Sequence, residues 1–219
     1  MALDYSTYKA SLADMAGMDS ENNPKFLDVL PRAIEYAENR IYRDLDLLNT
    51  IVRQTGTLSG NTRDFTLPSG SGRFVTVTGI NKLVSNSRSP LVLTSRDAID
   101  ALWPSAANST PDGPCYYAML TDQSIIVAPT SPTSITLEVV GTIRPDPLSE
   151  TNTSTFLSTY LPDLFLAASM VFIAGWNQNY GSQSDNPAEA LSWEQQYKTL
   201  LASASAEELR KKFGSMSRG

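Results

Sequence analysis

The groups in this sequence that could move a proton or attack a substrate are carboxylates and one thiol. There is no histidine among the 219 residues. Imidazole acid–base chemistry is therefore excluded, as are the usual histidine-assisted nucleophiles and most zinc sites. Two carboxylate pairs have a spacing a hydrolase could use, Asp97 with Asp100 and Glu207 with Glu208. A glycosidase needs two such groups, one of them kept protonated in a dry site. Asp97 and Asp100 fall three apart on one helix face. Pairs like these are ordinary on solvated helices, and no neighbouring stretch promises a desolvated pocket. Cys115 is the only cysteine, so no intramolecular disulfide can form. With no base beside it, Cys115 is expected as a small half-buried residue in a strand. Tyr116, Tyr117 and Trp103 could stack on a sugar, but the core of a β-sandwich is the simpler place for them. Ser69-Gly70-Ser71-Gly72 is not a phosphate loop, because no Gly-Lys-Ser/Thr follows it.

The elements that would carry these residues centre on one amphipathic stretch, Phe26–Leu48. Leu27, Leu30, Ile34, Ala37, Ile41, Leu45 and Leu48 recur at spacings of three and four. They predict a helix with one apolar face. Arg32, Glu35, Glu38, Arg40, Arg43 and Asp44 are assigned to a charged face. Such a helix must bury its stripe against other elements. A shorter helix over 4–18 precedes it, with Ser6 as cap and Gly17 as stop. The strongest remaining helical stretches lie at the far end. Leu161–Gly175 is apolar nearly all round, which points to burial by neighbouring copies as well as by its own chain. Pro187–Ala206 buries Trp193, Tyr197, Leu200 and Leu201 and turns Glu189, Glu194 and Lys198 outward. Between the two ends the period is two. Six to eight short strands separated by turns predict a sandwich or roll, with one brief helix, Arg96–Trp103, capped by Ser95. Asn86–Pro90 is expected as a turn.

The fold class is therefore α+β. Helices from 1–49 and 150–205 form a bundle, and 50–149 are an inserted antiparallel β-sandwich or roll. The remaining 206–219 form a basic arm that orders on an acidic partner. The net charge of −6 and pI near 4.7 argue against nucleic-acid binding over the whole surface. No secretory leader is visible and no apolar run is long enough to span a bilayer, so a soluble cytoplasmic product is expected.

Several fragments, in their order, resemble the head-to-tail adaptor proteins of tailed bacteriophages. They are AIEYAENRIYRDL (Ala33–Leu45), DFTLP (Asp64–Pro68), SPLVLTS (Ser89–Ser95), GPCYYAM (Gly113–Met119), IIVAPTSP (Ile125–Pro132), TSTFLSTYLPDLFLAASMVFIAGW (Thr153–Trp176) and WEQQY (Trp193–Tyr197). The similarity covers about 24–205; one departure is Leu161, inserted between Tyr160 and Pro162. The resemblance implies a structural component of the virion neck, assembled in the host cytoplasm. It implies a homo-oligomeric ring, commonly of about twelve copies. That ring would sit beneath the portal protein and receive the tail, nozzle or next connector. Double-stranded DNA would pass through it without specific binding. No catalytic site, cofactor, metal or membrane is implied. Arg210, Lys211, Lys212, Phe213 and Arg218 map onto an arm that docks on the portal. Arg32, Glu35, Arg40, Arg43 and Asp44 become candidates for subunit contacts or channel lining. Two readings of another class stand beside this one: a peptidoglycan-degrading enzyme of the virion, and a receptor- or sugar-binding β module.

Overall fold

Four helices of this chain begin where a short polar side chain satisfies the free N–H groups of a first turn. The computed structural model describes residues 2–85, 87–178 and 187–214. Its order is α1 (Tyr5–Ala16), α2 (Pro24–Asp44), a 3₁₀ turn (Leu48–Thr50), β1 (Ile51–Leu58), β2 (Asp64–Thr66), β3 (Arg73–Val84), β4 (Ser87–Pro90) and β5 (Val92–Leu93). Then come α3 (Arg96–Leu102), β6 (Tyr116–Thr121), β7 (Ser124–Ala128), β8 (Ile135–Arg144), α4 (Phe156–Tyr160), α5 (Pro162–Gln178) and α6 (Pro187–Phe213). The chain divides into two compact units. One is Met1–Asn49 with Pro147–Gly219, the other Thr50–Asp146. Helices build the first, and strands with one short helix build the second.

The cap of α1 is Asp4, not Ser6. The Asp4 carboxylate accepts the Thr7 N–H at 2.8 Å, and the Thr7 hydroxyl accepts the Asp4 N–H at 2.9 Å. The Ser6 hydroxyl only donates to Asp4. The Thr7 N–H, seconded by the Thr7 and Ser6 hydroxyls, pulls the Asp4 carboxyl down to about 2. Gly17 ends α1 in the left-handed region, φ 65°. Asp4→Ala should lower the stability of the chain, because the first turn of α1 loses its cap. Urea denaturation followed by circular dichroism would show it.

In α2, Asn23 caps and Pro24 fills the first position, where its missing N–H costs nothing. Pro31 lies inside the helix. The buried stripe is Phe26, Val29, Leu30, Ala33, Ile34, Ala37 and Ile41, whereas Leu27 is exposed. The helix ends at Asp44, short of the expected Leu48, because Leu45 turns extended. Leu45 and Leu47 still reach the core from that non-helical segment.

The apolar helix α5 is covered largely by its own chain. It packs against α1, α2, α4 and α6 of its own chain. Phe165 stacks on Tyr8 with ring centroids 4.5 Å apart. Ser169, the one polar interruption, is buried with its hydroxyl 2.6 Å from the Tyr8 hydroxyl. Most of the apolar circumference is thus buried within the chain, while Leu166, Val171 and Phe172 are only partly covered.

The second unit contains two four-stranded sheets, ordered β1-β8-β3-β4 and β2-β7-β6-β5. Both sheets contribute to one buried cluster, with Leu58, Phe74, Leu137 and Val139 from one and Phe65, Tyr117, Ile125 and Val127 from the other. Pairing is antiparallel except between β5 and β6, which run parallel. The expectation of a purely antiparallel insert is corrected there. The cause lies in 87–93, which change sheets. Pro90 still pairs with Asn81 of β3, the Leu91 N–H donates to Ile80, and the Val92 N–H donates to Cys115 beside β6. Ser87–Pro90 is accordingly an edge strand rather than a turn. All four residues are exposed, so no apolar alternation marks it. Where β3 and β8 shift register, Gly141 is required: a Cβ there would lie 2.2 Å from the Thr76 carbonyl oxygen. The helix α3 covers the far face of the second sheet, with Ile99 against Ala118, Ile126 and Ala128.

Candidate interaction surfaces

The charged face assigned to α2 separates into three environments. Arg32, Glu35 and Arg43 are exposed. Arg32 lies 3.7 Å from Asp28, and the Arg43 Nε donates to the Asn39 carbonyl at 2.9 Å, near the negative end of the helix. Glu38 is not on that face at all. It is buried, and its Oε1 accepts the Leu148 N–H at 3.0 Å. Four residues after Ile34 and three before Ile41, it belongs to the apolar stripe by its helical angle. Burial pushes its carboxyl up to about 7, with the Leu148 N–H opposing and Glu35 reinforcing.

Arg40 sits at the border with α6. Its NH2 donates to Glu194 at 2.8 Å, its Nε lies 3.7 Å from Asp44, and its guanidinium stands 4.1 Å from the centre of the Tyr197 ring. The Tyr197 hydroxyl donates to Asp44 at 2.7 Å, which closes the group. The hydrogen bond from Arg40 holds the Glu194 carboxyl below its ordinary value. Burial, then the Asp44 carboxylate, raises the Tyr197 hydroxyl. Arg40 and Asp44 are thus engaged within their own chain. Glu194, assigned outward from spacing, is the partner of Arg40. No local pattern could reveal it, since the pair is separated by most of the chain.

The second surface is the end of α6. The helix does not stop near 205 but runs on to Phe213. Lys211 bridges Glu207 at 2.8 Å and Glu208 at 2.7 Å, and Lys212 pairs with Asp46. Glu208 is buried, and its Oε2 accepts the Leu48 N–H at 3.1 Å. Burial alone would raise the Glu208 carboxyl, but Lys211 and the Leu48 N–H outweigh it and lower it. Arg210 is exposed, and so are Leu209 and Phe213, by 52% and 60%. These two apolar side chains sit four apart beside a groove of about 210 Å³ that also meets Leu45 and Asp46. Arg218 lies outside the described residues.

The rival chemistries find different surroundings. Asp100 is 2.7 Å from Arg63 and 3.5 Å from Arg96. Glu207 and Glu208 share Lys211. Of these, the Glu208 carboxyl is held below its ordinary value, the opposite of what a general acid needs. Cys115 is exposed and precedes β6, so the half-buried strand position is corrected. Tyr117 is in the core, while Tyr116 and Trp103 form a tilted pair, 5.3 Å between centroids, at the surface edge of α3. Among the described residues, no group of three carboxylate or thiol side chains is placed to hold a metal ion.

The sequence model of the family described as SU10 adaptor protein matches residues 3–218, which take in both units. The chain belongs to the SU10 adaptor protein family. It is thus a bacteriophage structural protein of the head-to-tail adaptor kind, a component of the virion. No curated protein matches the adaptor in a sequence comparison. Among its described residues, no helix is long and apolar enough to cross a membrane.

Proposed function

We propose that the adaptor assembles as a ring beneath the portal, commonly of about twelve copies, that extends the DNA channel and receives the tail, nozzle or next connector. The observation that carries this is the family match over residues 3–218. The helical bundle of 1–49 and 150–205 forms the body of the ring. The β insert of 50–149, a sandwich of its two sheets, faces tail components or the outside. The acidic balance of the chain, −6, lets DNA slide past without being held. Arg32, Glu35 and Arg43, exposed on α2, supply subunit contacts or the channel wall. The portal meets the end of α6, where Arg210 and Phe213 are presented. Lys211 and Lys212 would exchange their present partners for acidic ones on the portal.

Electron microscopy of the adaptor mixed with its portal tests this. A ring seated on the portal is expected. Combining Arg210→Glu with Phe213→Ser should abolish docking while leaving the circular dichroism of the free chain unchanged. Arg43→Glu should leave docking of single copies intact and prevent ring closure. A portal that stays bare with the unaltered adaptor, or docking that survives the double variant, would refute the corresponding part.

A further inference from the structure

The side of α6 that points away from its own core does not have the composition of a solvated helix face. Counted at about 100° per residue, Leu191, Ala202, Ala206, Leu209 and Phe213 fall within about 40° of one line along the helix. Trp193, Tyr197, Leu200 and Ala204 lie on the opposite side and pack into the helical core. Leu191 is 69% exposed, Leu209 52% and Phe213 60%. Ala202 and Ala206 are exposed as well. Between residues 191 and 213 only Gln195 and Lys198 interrupt the stripe with polar groups. Charged residues normally occupy the outer side of such a helix, and an apolar stripe there marks a contact surface.

The stripe reads nearly the same in both directions. Leu191 stands eleven residues before Ala202, and Phe213 eleven after it. Twenty-two residues of helix span about 33 Å. Large groups at both ends and alanines near the centre match one partner, the same face run backwards. Small residues let two helix axes approach to about 8 Å, and a crossing of about 20° keeps both ends in touch. A strip of that length and about 15 Å wide on each copy would remove roughly 1,000 Å² in all, the area at which a specific interface begins.

The flanking charges fit the same partner. On one flank lie Glu194 with Lys198, 3.5 Å apart, and farther along Lys212 with Asp46. A twofold axis beside Ala202 keeps this flank on the same side of both copies and reverses its order. Glu194 of one copy then comes level with Lys212 of the other. Lys198 comes level with the groove of about 210 Å³ that Asp46, Ser205 and Leu209 line. The side chains of Lys198 and Asp46 are 63% and 80% exposed, so both are open to a partner of opposite charge.

We infer that two copies of the chain pair through this face of α6, antiparallel about a twofold axis beside Ala202. Leu191 of each copy seats against Leu209 and Phe213 of the other, and Lys198 meets Asp46. Such a contact uses the same surface twice and closes at two copies. It covers Phe213, the side chain proposed to meet the portal. That the two contacts exclude each other rests on the portal reading; the pairing itself does not. In the free adaptor the dimer keeps the end of α6 covered until the portal displaces one copy.

Sedimentation velocity of the full chain, with no portal present, tests the pairing independently of docking. A dimer at micromolar concentration is expected. Ala202→Glu sets two carboxylates against each other at the axis and should raise the dimer Kd by roughly a hundredfold or more. Circular dichroism should not change, since Ala202 is exposed in the single chain. Lys198→Glu should weaken the dimer, and adding Asp46→Lys should restore it, a rescue that a role within one chain would not give. Cys115→Ser removes the only cysteine. In that background Ala202→Cys should oxidise to a covalent dimer, and Gln196→Cys, off the stripe, should not. A chain that stays monomeric, or sediments as a larger assembly, overturns the pairing. So does a dimer that survives Ala202→Glu or forms no disulfide through position 202.

Discussion

Glu38→Gln will make the adaptor more stable at pH 8 by about 3 kcal/mol, and will leave its stability at pH 4 unchanged. The figure follows from a carboxyl raised from 4.5 to about 7 by burial in the folded chain, at 1.36 kcal/mol for each pH unit. The sign follows from proton counting. Between those two values the folded chain holds a proton on Glu38 that the unfolded chain has released. Stability from this group is therefore complete below about 4.5 and is lost as pH rises to about 7. Above that, the buried charge persists at constant cost. Glutamine has the shape of the protonated form and keeps an oxygen for the Leu148 N–H. The groups that work the other way titrate elsewhere. Glu138 is lowered by the Arg88 hydrogen bond, Glu194 by Arg40, and Asp4 by Thr7, so their contributions fade only as pH falls below the ordinary carboxylate range. Urea denaturation at several pH values reads the result. A decline between pH 5 and 7 that is equally steep in the Gln variant would remove Glu38 as its source.

Arg40→Ala is expected to cost about 2–3 kcal/mol. The side chain of Arg40 is only 18% exposed, and that of Glu194 27%. Removing the guanidinium takes from Glu194 its closest cation, leaving Lys198 at 3.5 Å, takes the cation beside Asp44, and takes the charge off the face of Tyr197. Arg40→Glu goes further, because it sets a third carboxylate against those two. From spacing alone, charge reversal at Arg40 is expected to leave the monomer folded and to impair assembly; the contacts with Glu194 and Tyr197 now predict loss of stability first. Arg43→Glu remains the variant that spares the fold, since Arg43 is exposed and bonds only the Asn39 carbonyl. Unfolding followed through Trp193 and Trp176 fluorescence distinguishes them. A double-mutant cycle with Glu194→Gln should give a coupling of about 1 kcal/mol or more. No coupling would mean that solvent screens the pair.

Much of the local structure is legible in residue order because its causes are local. Ser95 before Arg96–Leu102, Asn23 before Pro24, and Gly17 after α1 mark helix ends by chemistry contained within a few residues. The period of two over 51–58 and 135–144 marks strands, the first with one face half-covered and the second covered on most of its length. The limits of legibility are equally physical. Ser87–Pro90 is exposed on all sides at a sheet edge and so carries no pattern. Leu27 satisfies the helical spacing but falls on the margin of the stripe, where Phe26 takes the core position. Glu38 was readable by angle, as the residue between Ile34 and Ile41, yet its charge placed it outside. Leu47 is buried from the non-helical segment that follows α2, and no periodicity extends there.

By itself, the sequence determined the class of the protein. The order of helical and strand periods along the chain prescribes α+β, the absence of histidine removes a large part of chemistry, and the run of fragments from Ala33 to Tyr197 points to the adaptor family. Those are properties of neighbours in the chain. Only the tertiary structure decided which charges are spent within the chain and which remain for partners. Arg40 meets Glu194, Lys212 meets Asp46, Glu208 holds Leu48, and Glu38 holds Leu148. Each pair joins residues more than a hundred positions apart. Their energies depend on burial and distance, which the fold sets.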